Sequence, residues 1–280
     1  MQEVAIIGAG DLGGALAHAL ARQNVARTIR LIDEKGRVAE GKALDIAQAA
    51  PVEGFATQLS GSADWATAAG AAVVVIADRV GGGEWTGEDG LQLLRQLSRS
   101  SQMAVLVCAG AGQRELIDRG VRELRVARGR LIGSAPEALA SGARAMVALA
   151  ANGSPRDVSL SVLGIPPSHT VIPWEDATLG GFAVTRLVDD PSRRRIAARI
   201  AALWPPGPYA LATAAALVID AVAGRTRRLA SCFVAPDTSA GVRSRTAAMP
   251  VRLGPAGIVD VVTPSLSVVE RVALENAMAL

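Results

Sequence analysis

The chain has 280 residues, half of them hydrophobic, with a formal net charge of +3. That length can bury roughly three quarters of the unfolded surface, enough for one large or two modest domains. Its 29 basic residues are scattered and nearly balanced by 26 acids, and no Lys/Arg block is interleaved with aromatics, which argues against a nucleic-acid partner. Arg193-Arg194-Arg195 and Arg225-Thr226-Arg227-Arg228 read as solvated helix ends.

A strand is expected over residues 4–7, and it runs directly into Gly8-Ala9-Gly10-Asp11-Leu12-Gly13. Gly8 permits the tight turn, Gly10 lets backbone approach a pyrophosphate, and Gly13 allows close packing of helix on strand. The helix that follows, over 12–23, offers free N–H groups to phosphate at its start. A second strand over 28–32 ends on Asp33, twenty residues beyond Gly13. An acid there can accept both ribose hydroxyls of an adenosine and repels a 2′-phosphate, so the pattern points to NAD rather than NADP. Asp11 holds the variable fingerprint position, where a carboxylate weakens cofactor binding unless it points away.

Further strands are expected over 73–77, 104–108 and 130–132, as continuous apolar runs suited to a parallel sheet covered on both faces. Helices are expected between them over 41–50, 90–99 and 114–126, and a long Ala-rich helix over 137–150 leads to the turn Asn152-Gly153-Ser154-Pro155. The grammar then changes. Period-two alternation appears over 158–163 and near 229–234, and a strand follows the turn Gly254-Pro255 over 257–262. Helices are expected over 192–203 and 210–223, and the capping box Ser267-Val268-Val269-Glu270 announces a last one. The expected fold class is α/β: a Rossmann-type doubly wound sheet over residues 1–145, then a smaller, intimately attached α+β domain over 146–280.

Cys108 and Cys232 have neither metal-ligand spacing nor a disulfide pattern, which suits a reducing compartment. The first strand begins within a few residues of Met1, leaving no room for a signal peptide, and the longest apolar runs are too short to span a bilayer. A soluble cytoplasmic protein is therefore expected.

Along most of its length the chain resembles the lactate/malate dehydrogenase family, and the malate dehydrogenases most closely. The residues carrying the resemblance are Gly41-Lys42-Ala43-Leu44-Asp45-Ile46 with Ala50-Pro51, Gly61-Ser62-Ala63-Asp64-Trp65, Val162-Leu163-Gly164, Thr178-Leu179-Gly180-Gly181 and Pro250-Val251-Arg252-Leu253-Gly254. The resemblance implies an NAD cofactor on Gly8, Gly10, Asp11, Leu12, Gly13, Asp33 and Ala77, and a homo-oligomer, dimer or tetramer.

The same resemblance places the family's catalytic positions, and this chain departs from nearly all of them. A flexible lid reads Val80-Gly81-Gly82-Gly83-Glu84-Trp85-Thr86-Gly87-Glu88-Asp89, with Gly82 and Glu88 where the family has arginines. Arg79 stands where it has a glycine beside the cofactor. Its Asn-Pro pair becomes Ala109-Gly110, its paired aspartate and substrate arginine become Leu139 and Gly142, and Pro167 takes the place of its proton-accepting histidine. Arg144 matches a structural arginine. His169 is the remaining candidate base, with Glu137, Arg144 and Arg79 as nearby charges. His18 reads as a surface residue, and Cys108 as a strand-tip thiol with no neighbouring base.

Three functional readings follow. The chain is a degenerate NAD-binding dehydrogenase, an NAD-dependent oxidoreductase for a neutral or cationic alcohol or carbonyl matching the acidic lid, or an ordinary malate or lactate dehydrogenase with displaced residues. The three consecutive glycines predict a lid that is mobile without ligand.

Overall fold

The computed structural model describes residues 1–237 and 245–279. Strands β1 (Glu3–Ile7), β2 (Thr28–Ile32), β3 (Gln58–Ser62) and β4 (Val73–Ile76) open the chain, alternating with helices α1 (Asp11–Arg22) and α2 (Gly36–Glu53). A two-stranded hairpin follows, β5 (Asp78–Arg79) and β6 (Gly83–Glu84), then α3 (Gly87–Ser100), β7 (Val105–Cys108), α4 (Arg114–Leu124), β8 (Leu131–Gly133) and α5 (Ala135–Ala150). The second half contributes short strands β9 (Val158–Ser159), β10 (Leu163–Ile165), β11 (His169–Val171), β12 (Thr178–Leu179) and β13 (Phe182–Ala183). Helices α6 (Val184–Leu187), α7 (Asp190–Ala201) and α8 (Pro208–Val222) come next. The chain closes with β14 (Ala230–Val234), β15 (Ala247–Gly254), β16 (Gly257–Val261) and α9 (Val268–Ala279).

The main sheet runs β11-β10-β15-β14-β8-β7-β4-β1-β2-β3, with β16 beside β15. From β8 to β3 every pairing is parallel, and β14 then joins β8 antiparallel. The parallel strands β4 and β7 are buried at every residue and β1 at all but Glu3, because helices cover both faces of such a sheet and favour apolar runs there. Strand order reverses between β1 and β4, so a crevice opens at their carboxyl ends. That is where α/β sheets of this kind bind ligands. The α/β Rossmann-type architecture expected from the sequence is the one observed.

Several boundaries differ from expectation. Helix α2 starts five residues earlier than its apolar pattern and runs through Pro51 to a left-handed Gly54. Strand β3 (Gln58–Ser62) carries no apolar run; it is an edge strand paired to β2 on one side, so neither face demands hydrophobic alternation. Alternation over 158–163 resolves into two strands, β9 and β10, in different sheets. The capping box forms, the Ser267 N–H donating to Glu270 at 2.7 Å and the Glu270 N–H to Ser267 Oγ at 3.3 Å. A second apolar cluster, built on Leu139, Ala143 and Val147 of α5 with Val158, Ile196 and Ile200, underlies the second half.

Candidate functional site

The crevice at the switch point is built by Gly8–Gly13 on one side and the residue after β4 on the other. Gly8 sits at φ +108°, and a Cβ there would lie 2.3 Å from the Asp78 carbonyl oxygen. Gly13 is forced by packing, since its Cβ would meet the Gly8 carbonyl at 2.1 Å and Ala77 Cβ at 3.6 Å. These two glycines play the turn and packing roles their spacing predicts. Asp11 is outside the cradle, its carboxylate 90% exposed and 4.0 Å from Lys42 Nζ, while Lys42 donates to the Gly10 carbonyl at 2.8 Å.

Gly10 makes room for something the sequence reading did not foresee. The Asp78 carboxylate lies against it, 2.3–2.6 Å from where a Cβ would stand. The Leu12 N–H donates to Asp78 Oδ2 at 3.2 Å and the Gly13 N–H to Oδ1 at 2.9 Å. The Gly10 N–H donates to the Asp78 carbonyl at 2.9 Å. An anion therefore does sit at the start of α1, as the helix dipole and free N–H groups favour, and it belongs to the chain itself.

Asp33 is engaged in the same way. It is 3% exposed. Its Oδ2 accepts the Ala9 N–H at 2.9 Å and the Val80 N–H at 3.0 Å, and its Oδ1 accepts the Lys35 N–H at 2.9 Å. The acid at the tip of β2 thus ties the fingerprint turn to the segment after β4.

That segment is a hairpin tethered at both ends rather than an untethered lid. Glu84 accepts the Ala111 N–H at 2.9 Å and the Gly112 N–H at 2.7 Å, in the turn that opens α4. Gly110 leaves room for this, since a Cβ there would stand 2.4 Å from the Glu84 carboxylate and that side chain would have to shift. Gln113, fully buried, accepts the Gly110 N–H at 2.9 Å and holds the turn. Arg79 stacks 4.5 Å over Trp85, and its guanidinium is 3.6 Å from Asp89. Trp85 is buried and meets Trp65 edge-on at 5.7 Å. Glu88 pairs with Arg119 at 2.7 Å. Each acid of the lid therefore has a cation or backbone N–H partner, Arg119 being shared with Glu123.

Two of the positions where the resemblance places catalysis, 139 and 142, are occupied by packing residues, while Gly82, Glu88 and Pro167 are exposed. Leu139 is 1% exposed within the second core, and a Cβ on Gly142 would be 2.9 Å from Leu203. Leu139, Gly142, Leu203, Ala214 and Leu217 line a cleft of about 510 Å³ between α5 and α8. Glu137 and Arg144 also reach it but are spent on structure. Glu137 is buried, pairs with Arg144 and accepts the Ser231 N–H at 2.7 Å, while Arg144 donates to the Leu160 carbonyl at 2.9 and 3.1 Å. His169 is exposed on β11, at the far end of the sheet from β3. Six strands lie between β11 and β1 in the sheet order, so seven steps of ~4.8 Å place it roughly 34 Å along the sheet from β1. The structure does not bring these residues together. Burial, with the Glu84 charge as a smaller cause, pushes the Cys108 thiol up to about 12, leaving it protonated and unreactive. His18 is a surface residue bonded to Glu53 at 3.1 Å. Among the described residues no group of three or more His, Cys, Asp or Glu could hold a metal, and no helix is long and apolar enough to cross a membrane.

Residues 2–96 match the family model for the lactate/malate dehydrogenase NAD-binding domain. The matched stretch is about a third of the chain, and over nearly its whole length the chain is similar to malate and lactate dehydrogenases. Residues 2–96 are an NAD-binding domain of that type. The chain is 28% identical to a malate dehydrogenase of Thermomicrobium roseum, over 99% of this chain and 94% of that one. It is equally similar to an L-lactate dehydrogenase of Allorhizobium ampelinum, over 98% and 96%. The solved malate dehydrogenase of Salinibacter ruber superimposes with a TM-score of 0.87 at 24% identity, covering 99% of this chain and 94% of that one. The Cryptosporidium parvum lactate dehydrogenase solved with lactic acid and NAD gives 0.86 at 20%, with coverage of 99% and 94%.

The family cofactor can be tested against the residues present. The three glycines, the start of α1 and Asp33 have the chemistry a dinucleotide needs, and Asp11 does not obstruct them. Asp78 does, since its carboxylate already holds the Leu12 and Gly13 N–H groups. The groove fits NAD once that side chain is withdrawn.

Proposed function

We propose that this chain is an NAD-binding member of the lactate/malate dehydrogenase family that has lost hydride transfer to malate and lactate. The observation carrying this is that Leu139 and Gly142, at the places of the family's aspartate and substrate arginine, are packed into apolar surroundings against Leu203 and the second core. Pro167 stands at the base position. A missing general base alone lowers rates by about 10²–10⁴, and a carboxylate entering an apolar cleft without an arginine loses about 2–5 kcal/mol. In this reading residues 1–145 remain the nucleotide unit and 146–280 the vestige of the substrate unit.

The cofactor-binding residues proposed are Gly8, Gly10, Leu12, Gly13, Asp33 and Ala77, with Asp11 at the rim. His169 carries no role. The competing reading, an oxidoreductase for a neutral or cationic substrate, rested on free acids in the lid, and Glu84, Glu88 and Asp89 are all partnered. We place the protein in the cytoplasm, where two buried free thiols are at home, and as a homo-oligomer. Exposed Leu44, Val52 and Tyr209 are apolar surface that a second copy would cover. A steady-state assay of purified protein with NAD and malate or lactate tests the proposal. No turnover is expected, and a rate near 1 s⁻¹, at the low end of ordinary enzymes, would refute it.

A further inference from the structure

The geometry points to Asp78 as a built-in occupant of the dinucleotide groove, a phosphate mimic that NAD must displace before it binds. This rests on the reading of the fingerprint as a nucleotide site. Three observations carry it. First, Asp78 spends both carboxylate oxygens on the Leu12 and Gly13 N–H groups, at 3.2 and 2.9 Å, and these are donors that a pyrophosphate over a glycine fingerprint takes. One N–H cannot serve both, and two anions at one helix start repel. Second, the occupancy is shaped as well as charged. The space a side chain at position 10 would fill contains the Asp78 carboxylate, so the glycine that opens the cradle to phosphate is here the glycine that admits Asp78.

Third, the occupant is held from behind. Asp78 is the first residue of β5, and the β5–β6 hairpin is pinned by the Val80 N–H on Asp33 at 3.0 Å and by Glu84 on Ala111 and Gly112 at 2.9 and 2.7 Å. The Val80 bond also engages the carboxylate expected to receive the adenosine ribose. Phosphate donors and ribose acceptor are thus satisfied by one ten-residue excursion of the chain, residues 78–87. Binding then depends on how often this hairpin gives way. If it is withdrawn for about 1–10% of the time, apparent affinity falls by about ten- to a hundredfold from its intrinsic value.

The test uses the full-length protein, with NADH and inorganic pyrophosphate as probes titrated into wild type, Asp78→Ala, Asp78→Asn and Glu84→Gln. Thermal melts establish that each variant is folded. Asp78→Ala is expected to bind both probes at least tenfold more tightly than wild type. Asp78→Asn should do so to a smaller degree, since an amide oxygen still accepts one N–H. Glu84→Gln, far from the phosphate donors, should tighten NADH binding by loosening the hairpin, and with Asp78→Asn it carries the test should Asp78→Ala not fold. Equal affinities of wild type and folded Asp78 variants for both probes would overturn the occupant while leaving the cofactor assignment intact. Gain of pyrophosphate without gain of NADH would uphold the occupant and remove the dinucleotide reading. Failure of every variant to hold either probe would overturn both.

Discussion

Glu84 accepts the Gly112 N–H at 2.7 Å, and through that bond the far end of the β5–β6 hairpin is fixed to the turn that opens α4. A charged acceptor on two backbone donors at a helix start is worth about 1–3 kcal/mol, and the partial exposure of the Gly112 bond argues for the lower part of that range. Glu84→Ala should therefore raise amide exchange at residues 79–85 by about five- to thirtyfold while leaving β1 and β4 unchanged. Exchange at wild-type rates would mean that the tether is ornamental.

Asp33 has three backbone N–H partners, and this changes what its removal does. Asp33→Ala should weaken NADH binding, as loss of a ribose acceptor requires, and should also lower stability by roughly 2–4 kcal/mol by orphaning the Ala9, Lys35 and Val80 amides. Urea unfolding of the unliganded protein separates the two effects. A variant with the wild-type midpoint would show that Asp33 waits for ligand rather than bracing the fingerprint. The wild type is expected to prefer NADH to NADPH in the same titration.

Glu137 and Arg144 form a pair whose side chains are 1% and 12% exposed. Arg144→Met leaves Glu137 charged in the core, so a loss of about 3–5 kcal/mol is expected. Replacing both, as Glu137→Gln with Arg144→Met, should lose less than the sum of the single changes. Additive losses in urea would deny the coupling.

Both cysteines should be silent in the folded protein. Burial raises Cys108 from 9.0 to about 12 and Cys232 in the same direction. A thiol whose folded pKa is raised contributes stability that is complete below its unfolded value and lost as pH climbs toward the folded one. The wild type should therefore lose stability between about pH 9 and 12 more steeply than Cys108→Ala. Iodoacetamide at pH 8 should label neither thiol until urea is added, and rapid labelling of native protein would contradict the burial.

Much of this architecture is legible in the chain. Buried parallel strands announce themselves as Val-Val-Val-Ile and Val-Leu-Val-Cys, since both their faces must be apolar, and the glycine spacing before α1 is dictated by two sub-van der Waals approaches. Strand β3 escapes such reading because Gln58-Leu59-Ser60-Gly61-Ser62 is held by one-sided backbone pairing to β2. Strand β15 escapes because Pro250 argues against a ladder, although its missing N–H is tolerated opposite Ser231. The tethers of the lid escape for a different reason: glycine content reports the entropy of the free chain and says nothing of the carboxylates that hold it. The signal for Asp78 is present, a charged residue two positions beyond the end of a fully buried strand at the switch point, but its partners lie 65 and 66 residues away in sequence.

If hydride transfer is lost as proposed, Gly110 bears on the order of any route back to it. Every side chain at that position collides with the Glu84 carboxylate, whose nearest atoms are 2.4 Å from the would-be Cβ. A larger residue at 110 therefore displaces the Glu84 carboxylate from the Ala111 and Gly112 N–H groups, and losing Glu84 frees the hairpin before any substrate-binding group is present to use it. The two steps are each disfavoured alone, as are a side chain at 142 against Leu203 and a carboxylate at 139 in the core. On the proposed reading, a chain in this state can drift in its surface residues, yet paired substitutions stand between it and restored hydride transfer.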